Sequence, residues 1–444
     1  MVRAVVTGAA GFLGGALAHA LREQGADVVA LDVRRAPGVV QADISRPGTW
    51  EQALDGAELV IHAAAVGTGG VAELTPVRPG RAGAPRRVSG AEVRRVTLGG
   101  TAALLDAAAR AGVARFLHLS CVDVLSRVTP RDGERAEVSR VNGPLVDESA
   151  PVGLTGDVRA DALAAAEQAV GSAAAHGLGA TVVRIGDAYG PRAGRWTLWP
   201  VLLMRAGRFV LVDGGRGVLS PVHVDDVVAA VTAVAAADRA AVAGQVLHVT
   251  GGEQVSAAEF FGYYSRMLDL PSPRSVPGRL LGAVDAWDRV RALGAGLAAP
   301  RSPASAGGAL ASGVSASGVS AGGVSAGGVS AGGGSAAAEP EPAGTAPAAP
   351  PGVASPPPVP GRPAAALVRG LGARLVAGVD PRARVDLGAL GVRELTRDAG
   401  FSISRIGSLA GWSPAVPLAD GMDRTESWLR ERGLLGVREP SRRG

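Results

Sequence analysis

The sequence predicts an α/β protein built on a doubly wound parallel sheet, with a smaller C-terminal domain. Two observations predict this class. Short β-branched runs alternate with helical patterns through the first 190 residues, and a glycine-rich turn joins the first run directly to the first helix. Strands that alternate with helices form βαβ units with right-handed crossovers, so the strands are expected to lie parallel to one another.

Each element has its own signal. The run at 2–7 is β-branched and closed by glycines, which is typical of a buried strand, and Gly25 ends the next helix. After residue 190 the alternation loosens, and 251–293 is expected to be mostly helical. The segment 423–435 predicts an amphipathic helix with Trp428 and Leu429 on its apolar side. The expected strands are 2–7, 27–32, 58–63, 115–120, 180–185 and 245–249, and the expected helices are 12–24, 47–54, 96–111, 159–176 and the later part of 222–237.

A low-complexity segment interrupts the pattern. A five-residue repeat runs in five copies over 311–335, and a Pro/Ala-rich tract follows it. Gly/Ser repeats are flexible and Pro-rich runs are extended, so 296–366 is expected to be a disordered linker, with a Pro-rich ligand for a recognition domain as the alternative. The predicted organisation is a nucleotide-binding domain at 1–190, rejoined by 222–250, and a substrate-binding part made of 191–221, 251–295 and 367–437.

Composition narrows the choice of partners and compartment. All 45 basic residues are arginine, whose side chain stays protonated, and this accounts for a pI near 10.3. The net charge is only +5, so no nucleic-acid partner is expected. The single cysteine excludes an intrachain disulfide and fits a reducing cytoplasm. The N-terminus lacks the apolar core of a signal peptide, and the apolar run at 227–237 is about half a membrane span. We expect a soluble, cytoplasmic protein without a metal site.

The turn "TGAAGFLGG" predicts a dinucleotide site. Gly8 allows the tight turn, Gly11 lets the backbone approach a pyrophosphate, and Gly14 permits close helix packing. The helix that begins here adds unpaired N–H groups and the positive end of its dipole. A glycine turn that has lost its ligand is the alternative.

Acidic residues after the next strands extend this site. Asp32 lies 18 residues beyond Gly14, where a carboxylate accepts hydrogen bonds from a ribose 2′-OH and repels a 2′-phosphate. NAD is therefore favoured over NADP, although Arg34 and Arg35 leave NADP open. Asp43 is placed to reach an adenine, or is simply solvated. The predicted cofactor-binding set is Gly8, Gly11, Phe12, Leu13, Gly14, Asp32, Asp43, Ile44, Ala63 and Ala64.

Several longer stretches carry a family resemblance. They include "TGAAGFLG" (7–14), "VIHAAA" (60–65), "GGTAALLDAAARAGVARFLHLS" (99–120), "VVRIGDAYGPR" (182–192) and "GGRGVLSPVHVDDVVAA" (214–230). The chain resembles an extended short-chain dehydrogenase/reductase of the NAD-dependent epimerase/dehydratase group, particularly its 3β-hydroxysteroid dehydrogenase-like branch. The resemblance implies a Rossmann sheet, bound NAD, a secondary alcohol or ketone substrate such as a sterol or a nucleotide sugar, and a homodimer formed through helices near 96–111 and 159–176.

The residues that such enzymes use for proton transfer are replaced in this chain. The family's catalytic tyrosine corresponds to Arg159, and the lysine four residues later corresponds to Leu163. The family's serine position falls on Cys121 rather than on its neighbour Ser120, which is the alternative, and the family's asparagine position falls on Thr97. No shifted alignment restores the pair, because the chain has no lysine at all.

Four residues remain as weak candidates for acid–base work. They are Cys121, Asp157, Asp161 and His223. The structural alternatives are an inert buried thiol for Cys121, a helix N-cap for Asp157 and a solvated helix face for Asp161. The resemblance implies that His223 lies where the family closes over the cofactor or substrate, and a purely structural histidine is the alternative. The sequence thus predicts an NAD-binding oxidoreductase or epimerase with impaired or non-standard catalysis. A non-enzymatic NAD(P)-binding regulatory or scaffold protein is the alternative.

Overall fold

A parallel sheet of seven strands forms the centre of the fold. The structure is a computed structural model and describes residues 2–66, 88–125, 143, 145–278 and 391–435. The predicted linker at 296–366 lies outside these residues, as do the adjoining stretches 279–295 and 367–390 and the end of the predicted C-terminal part. In chain order the strands are β1 Arg3–Thr7, β2 Asp27–Asp32, β3 Val40–Gln41, β4 Leu59–His62, β5 Arg115–Cys121, β6 Leu145–Val146, β7 Ala180–Ile185, β8 Asp187–Tyr189, β9 Val210–Val212, β10 Val218–Leu219, β11 Pro221–His223, β12 Val246–Val249, β13 Val255–Ser256, β14 Arg274–Val276 and β15 Gly400–Phe401.

Helices connect and flank these strands. The α-helices are α1 Phe12–Glu23, α2 Gly90–Arg94, α3 Gly100–Arg110, α4 Val158–Ala175, α5 Trp199–Arg205, α6 Val224–Ala236, α7 Arg239–Val242, α8 Ala257–Met267, α9 Ser404–Ala410 and α10 Leu418–Glu431. Shorter 3-10 turns span Thr49–Leu54, Val122–Leu125, Asp213–Gly215 and Glu394–Thr396, and π turns span Arg95–Gly99 and Gly194–Leu198. No helix in the described ranges is long and apolar enough to cross a membrane.

The strand order confirms the predicted doubly wound α/β class. The order is β12-β7-β5-β4-β1-β2-β3, and every pairing within this sheet is parallel. Val5 of β1 and Val60 of β4 are completely buried, as expected for a parallel sheet that is covered on both faces. The order reverses at β1, so the carboxyl ends of β1 and β4 bound the crevice in which ligands of such sheets bind.

A second core lies beyond the sheet and is rich in aromatic residues. It combines side chains from 189–219, 255–268 and 392–435. Phe260 of α8 packs edge-on against Tyr189, Trp196 and Tyr264. Leu429 on the apolar face of α10 is fully buried in this core, in agreement with the predicted amphipathic helix.

Several element boundaries differ from the sequence expectations. The helix expected at 47–54 is a 3-10 helix, Thr49–Leu54. The helix expected at 96–111 begins earlier, at Gly90, because the Ser89 side chain caps α2 by accepting a hydrogen bond from the Glu92 amide at 3.1 Å. The C-terminal helix begins at Leu418 rather than at 423. The short strands β3 and β8 carry no strand signal of their own.

Candidate active site at the carboxyl edge of the sheet

The glycine turn between β1 and α1 leaves no room for side chains. Gly8 has φ +70°, and a β-carbon on it would stand 2.6 Å from the Ala63 carbonyl oxygen. A β-carbon on Gly11 or Gly14 would stand 2.8 or 2.3 Å from the Gly8 carbonyl oxygen. The glycines therefore allow the backbone of this turn to close tightly at the start of α1. Phe12 and Leu13 form the first turn of α1, and no side chain caps this helix at Gly11. The first N–H groups of a helix have no partner within it, so this end can receive an anion.

Asp32 lies beside this turn at the end of β2. Its Oδ2 accepts a hydrogen bond from the Ala10 amide at 3.0 Å, which fixes the carboxylate next to the glycines. The Arg34 guanidinium donates hydrogen bonds to both carboxylate oxygens, from Nε to Oδ1 at 3.1 Å and from Nη2 to Oδ2 at 3.2 Å. The carboxylate has the position that the sequence predicted, but a ribose hydroxyl would have to displace the Arg34 side chain to reach it.

Asp43 and Ile44 continue the same edge beyond β3. The Asp43 carboxylate accepts hydrogen bonds from the Ser45 amide at 3.0 Å and from Arg95 at 3.4 Å. Burial alone would raise the pKa of Asp43, but hydrogen bonds from the Ser45 hydroxyl and amide, together with the charge of Arg95, outweigh it and lower the pKa below its usual value. Ile44 is buried against Gly100 of α3. The two residues thus offer an acceptor and an apolar wall, and their contact with an adenine stays a prediction.

Ala63 and Ala64 follow β4 on the other side of the crevice. The Ala63 amide donates to the Thr7 carbonyl oxygen at 3.3 Å, which holds this segment against the end of β1. Both alanines are close to the position of a β-carbon on Gly8. The structure therefore brings the predicted cofactor-binding residues to one edge of the sheet.

Arg159, which the sequence places at the family's tyrosine position, takes part in an ion network. Its Nη1 lies 3.3 Å from Oδ2 of Asp123, and Nη1 of Arg195 lies 2.7 Å from the same oxygen. Nη2 of Arg195 reaches Glu394 at 2.6 Å. Burial would raise the pKa of Asp123, but Arg195, Arg397 and Arg159 together hold that pKa well below its usual range. Asp123 is therefore ionised at neutral pH and binds two guanidinium groups.

At the lysine position, Leu163 belongs to a small hydrophobic cluster. Its side chain is 3% exposed and packs with Val122, Val124, Leu125 and Phe401. The position therefore holds a buried apolar side chain, which offers neither a charge nor a hydrogen bond to a ribose.

Cys121 and its neighbour Ser120 are unsuited to proton transfer. Burial, with Asp123 nearby, raises the pKa of the Cys121 thiol to about 12, so the thiol stays protonated at neutral pH. Ser120 donates a hydrogen bond of 2.5 Å to Glu167, which also binds Arg184 at 2.7 Å. Ser120 is therefore held in the interior near the end of β5, and Cys121 lies partly buried beside it.

Asp157 and Asp161 act as local caps. Asp157 is the N-cap of α4 and accepts hydrogen bonds from the amides of Arg159 and Ala160 at 3.0 and 2.8 Å. Asp161 accepts from the Thr155 amide at 2.6 Å, and such hydrogen bonds overcome the effect of burial and lower its pKa. Asp161 is thus bound to the turn before α4, where the sequence suggested a solvated helix face or an acid–base group.

His223 is buried away from solvent at the start of α6. Its ring packs edge-on against Tyr189 at 5.4 Å, and Nδ1 lies 3.3 Å from the Asp225 amide, which it caps. Asp225 also pairs with Arg424 of α10 at 2.8 Å. These contacts favour a structural role for His223 at the junction of β11, α6 and α10.

Sequence reasoning missed the network around Asp123. Arg195 and Glu394 are 199 positions apart in the chain, so no local spacing could have joined them. The one local signal in the sequence was Asp123 itself, in "SCVDVL". A charged residue is unusual within such an apolar run and therefore suggests a buried partner.

The fold and this site define a Rossmann-type α/β protein with a tight glycine turn at the carboxyl edge of a parallel sheet. The sequence profile of the NAD dependent epimerase/dehydratase family matches residues 4–250, and the chain belongs to that family. This confirms the family resemblance seen in the sequence.

Two curated relatives are similar over part of the chain. A 3-diazoavenalumate denitrifying reductase from Streptomyces sp is 34% identical over 301 residues, which cover 64% of this chain and 88% of the relative. A dTDP-glucose 4,6-dehydratase from Streptomyces griseus is 34% identical over 171 residues, covering 38% of this chain and 47% of the relative.

Solved structures support the fold. A dTDP-glucose 4,6-dehydratase from Streptomyces venezuelae, crystallised with NAD and TYD, superposes with a TM-score of 0.58 at 18% identity, covering 98% of this chain and 99% of that one. A UDP-glucose 4-epimerase from Thermotoga maritima gives 0.56 at 16% identity, covering 97% and 99%.

Proposed function

We propose that the protein is an NAD-binding reductase that delivers hydride to an electrophile without taking a proton from its own side chains. One observation carries this proposal. The predicted cofactor edge keeps its tight glycine turn, whereas the proton-relay positions hold an arginine bound to Asp123 and a leucine buried in a core.

The cofactor end fits a dinucleotide. Gly8, Gly11 and Gly14 form a cradle that any β-carbon would fill, and the first turn of α1 offers N–H groups to a pyrophosphate. Asp32 is assigned to the ribose, Asp43 with Ile44 to the adenine side, and Ala63 with Ala64 to the facing wall. When bound, the nicotinamide supplies or accepts a hydride. The acid at the end of β2 and the family membership favour NAD, and Arg34 is the feature that would admit NADP.

The described residues near Arg159 offer no proton donor suited to neutral pH. A guanidinium does not release a proton there, and the Cys121 thiol has a pKa of about 12. Asp157 and Asp161 are held as capping carboxylates, and His223 is buried against Tyr189. Reduction of a simple ketone to an alcohol consumes a proton as well as a hydride, so a ketone or a carbinol is a poor match for this site.

A diazonium compound is a better match, because its reduction consumes no proton. Hydride forms a new C–H bond as the C–N bond breaks, and the bonding electrons leave with nitrogen: R–N₂⁺ + NADH gives R–H + N₂ + NAD⁺. The Streptomyces relative that aligns with this chain over 88% of its own length is described as a 3-diazoavenalumate denitrifying reductase. We assign the same reaction class to this chain.

Arg159 favours a substrate that also carries an anionic group. Its side chain is 24% exposed and makes a single 3.3 Å side-chain contact with Asp123, a carboxylate that Arg195 also holds. A guanidinium in this state has N–H groups left to bind a carboxylate or a phenolate. A sterol offers no anionic group. A nucleotide sugar offers phosphates, but no carboxylate or phenolate on the part that reacts.

A pair of substrates tests this proposal. NADH binding is followed by fluorescence, and NADH oxidation is then measured with 4-carboxybenzenediazonium and with a panel of ketones, after subtraction of the rates without protein. We expect oxidation with the diazonium only, and a several-fold higher KM for its methyl ester or for Arg159→Gln. Binding without any oxidation would instead support the non-enzymatic alternative, and failure to bind NADH would contradict both readings.

A homodimer formed through α3 and α4 also remains a proposal. The outer faces of these helices border a groove of about 650 Å³, lined in part by Leu105, Ala109, Ala169 and Ala173. The molar mass in solution, measured by light scattering, tests it directly: a mass near 44 kDa would exclude the dimer.

A further inference from the structure

Arg192 occupies an unfavourable backbone conformation in the turn after β8. It has φ +70°, a left-handed conformation that three non-glycine residues adopt in the described part of the chain, the others being Asp213 and Asp269. Side chains with a β-carbon are strained in this region, and such strain is concentrated at functional sites. The turn is closed by a hydrogen bond of 3.1 Å from the Ala193 amide to the Gly190 carbonyl oxygen.

The turn directs the Arg192 side chain to the start of α1. Its Nη1 and Nη2 atoms lie 3.6 and 3.7 Å from the point where a β-carbon would stand on Gly15. Gly15 follows Gly14, the last glycine of the nucleotide-binding turn. Arg192 is exposed, and no hydrogen bond or ion pair joins it to a residue in the described ranges.

The electrostatics of this placement are unfavourable unless an anion is present. The N-terminal end of a helix carries a partial positive charge from its unpaired N–H groups, so a second cation beside it is repelled. A phosphate between the two would remove the repulsion and would match the planar fork of a guanidinium. Backbone strain and charge repulsion thus both point to a ligand that compensates for them.

We propose that Arg192 is a second clamp on the pyrophosphate of the dinucleotide, facing the N–H groups of α1 across it. The inference rests on the proposed function, since it concerns the same nucleotide. Arg192 is a binding residue here: it holds the two phosphates and leaves the adenosine half to Asp32 and Asp43.

The test separates binding from folding, because the two are expected to respond differently to Arg192→Gly. Glycine accepts φ +70° without strain, so the variant should melt at the same temperature as the wild type or higher. Its Kd for NADH and for ADP-ribose should rise about 10- to 100-fold, as expected for the loss of a charged bidentate contact. The affinity for adenosine, which has no phosphate, should not change.

Arg115→Ala is the matched control for charge. Arg115 lies at the amino end of β5, on the opposite edge of the sheet, so its loss should leave all three affinities unchanged. Wild-type affinity of Arg192→Gly for ADP-ribose would overturn the inference while leaving the proposed function intact. A lower melting temperature, together with equal losses of affinity for adenosine and for ADP-ribose, would show that Arg192 has a structural role and would also overturn the inference. If the wild type bound neither NADH nor ADP-ribose, the proposed function itself would fail.

Discussion

The two ends of the crevice are built in opposite ways. At the β1–β2 end the chain keeps glycines where any β-carbon would collide with backbone, and it leaves the N–H groups of α1 accessible. At the β5–α4 end, side chains satisfy one another: Arg159 and Arg195 bind Asp123, and Leu163 fills a hydrophobic cluster. The first end is arranged for a ligand, and the second is arranged mainly for its own stability.

Under the proposed function, this difference separates nucleotide binding from proton transfer within one fold. The cofactor end depends on backbone geometry, which glycine spacing along one strand–turn–helix unit specifies. The relay depends on two side chains of α4, and both can be replaced while the sheet stays intact. The proposed reaction uses this separation, because it needs hydride but no proton from the protein.

The largest loss of stability is expected when a cation is placed at Leu163. Leu163→Lys would bury an amine among Val122, Val124 and Phe401. Keeping that amine neutral at pH 7 costs about 4–5 kcal/mol of folding stability, because its folded pKa must drop from about 10.4. A lowered folded pKa means that the unfolded chain binds more protons, so the penalty should shrink as pH rises toward 10. Denaturant melts at pH 7 and 9.5 measure this.

Leu163→Met is the matched control, since it keeps the volume and adds no charge; it should cost less than about 1.5 kcal/mol. If Leu163→Lys were as stable as Leu163→Met at pH 7, the second end would be more open than its packing indicates.

Removal of the carboxylate at Asp123 should have the next largest effect. Asp123→Asn leaves Arg159 and Arg195 without their shared anion and should cost about 3 kcal/mol at pH 7. The folded pKa of Asp123 is lowered, so its contribution is complete above the unfolded pKa near 3.9 and is lost as pH falls below it. The difference between variant and wild type should narrow below pH 4, and an exposed counterpart, Asp106→Asn, should show no such difference.

At the first end, an added methyl group should abolish binding. Gly14→Ala places a β-carbon 2.3 Å from the Gly8 carbonyl oxygen, and the forced shift should cost about 1–3 kcal/mol and eliminate NADH binding. Gly171→Ala, in α4 with open space around it, should stabilise the protein by up to about 1 kcal/mol and leave binding unchanged. Equal NADH affinity in both variants would remove the glycine turn from the site.

The smallest effect is expected at Arg34. Arg34→Ala frees the Asp32 carboxylate from its two guanidinium contacts, so the Kd for NADH should fall or stay level and that for NADPH should rise, together changing the ratio about tenfold. Fluorescence titration with both nucleotides measures the ratio. A ratio that does not change would mean that Arg34 has no part in choosing between them.

The sequence predicted the sheet well because its signals are local. The strands 27–32 and 180–185 have the expected ends, and the buried apolar runs that predict them are a property of parallel sheets. The ends of the helices were less predictable. The start of α2 depends on the Ser89 cap, and α10 begins at Leu418, after Pro417, five residues before the expected start.

The candidate site divides in the same way. The glycine turn and Asp32 could be found from spacing within one βαβ unit. The Asp123 network joins residues from the 3-10 turn after β5, α4, the 194–198 turn and residue 394, so only the folded chain reveals it. For the same reason the closeness of Arg192 to Gly15 could not be seen in "DAYGPR" alone.

The central claim is that hydride reaches the substrate without a proton from the protein, and isotope tracing tests it most directly. The protein is incubated with 4-carboxybenzenediazonium and, in turn, each of the two NADH forms deuterated on one face of C4. The account predicts benzoate with deuterium opposite the carboxylate from one NADH form only, and no deuterium in that position when unlabelled NADH is used in D₂O. Deuterium taken up from D₂O, or equal labelling from both forms at the rate seen without protein, would contradict it.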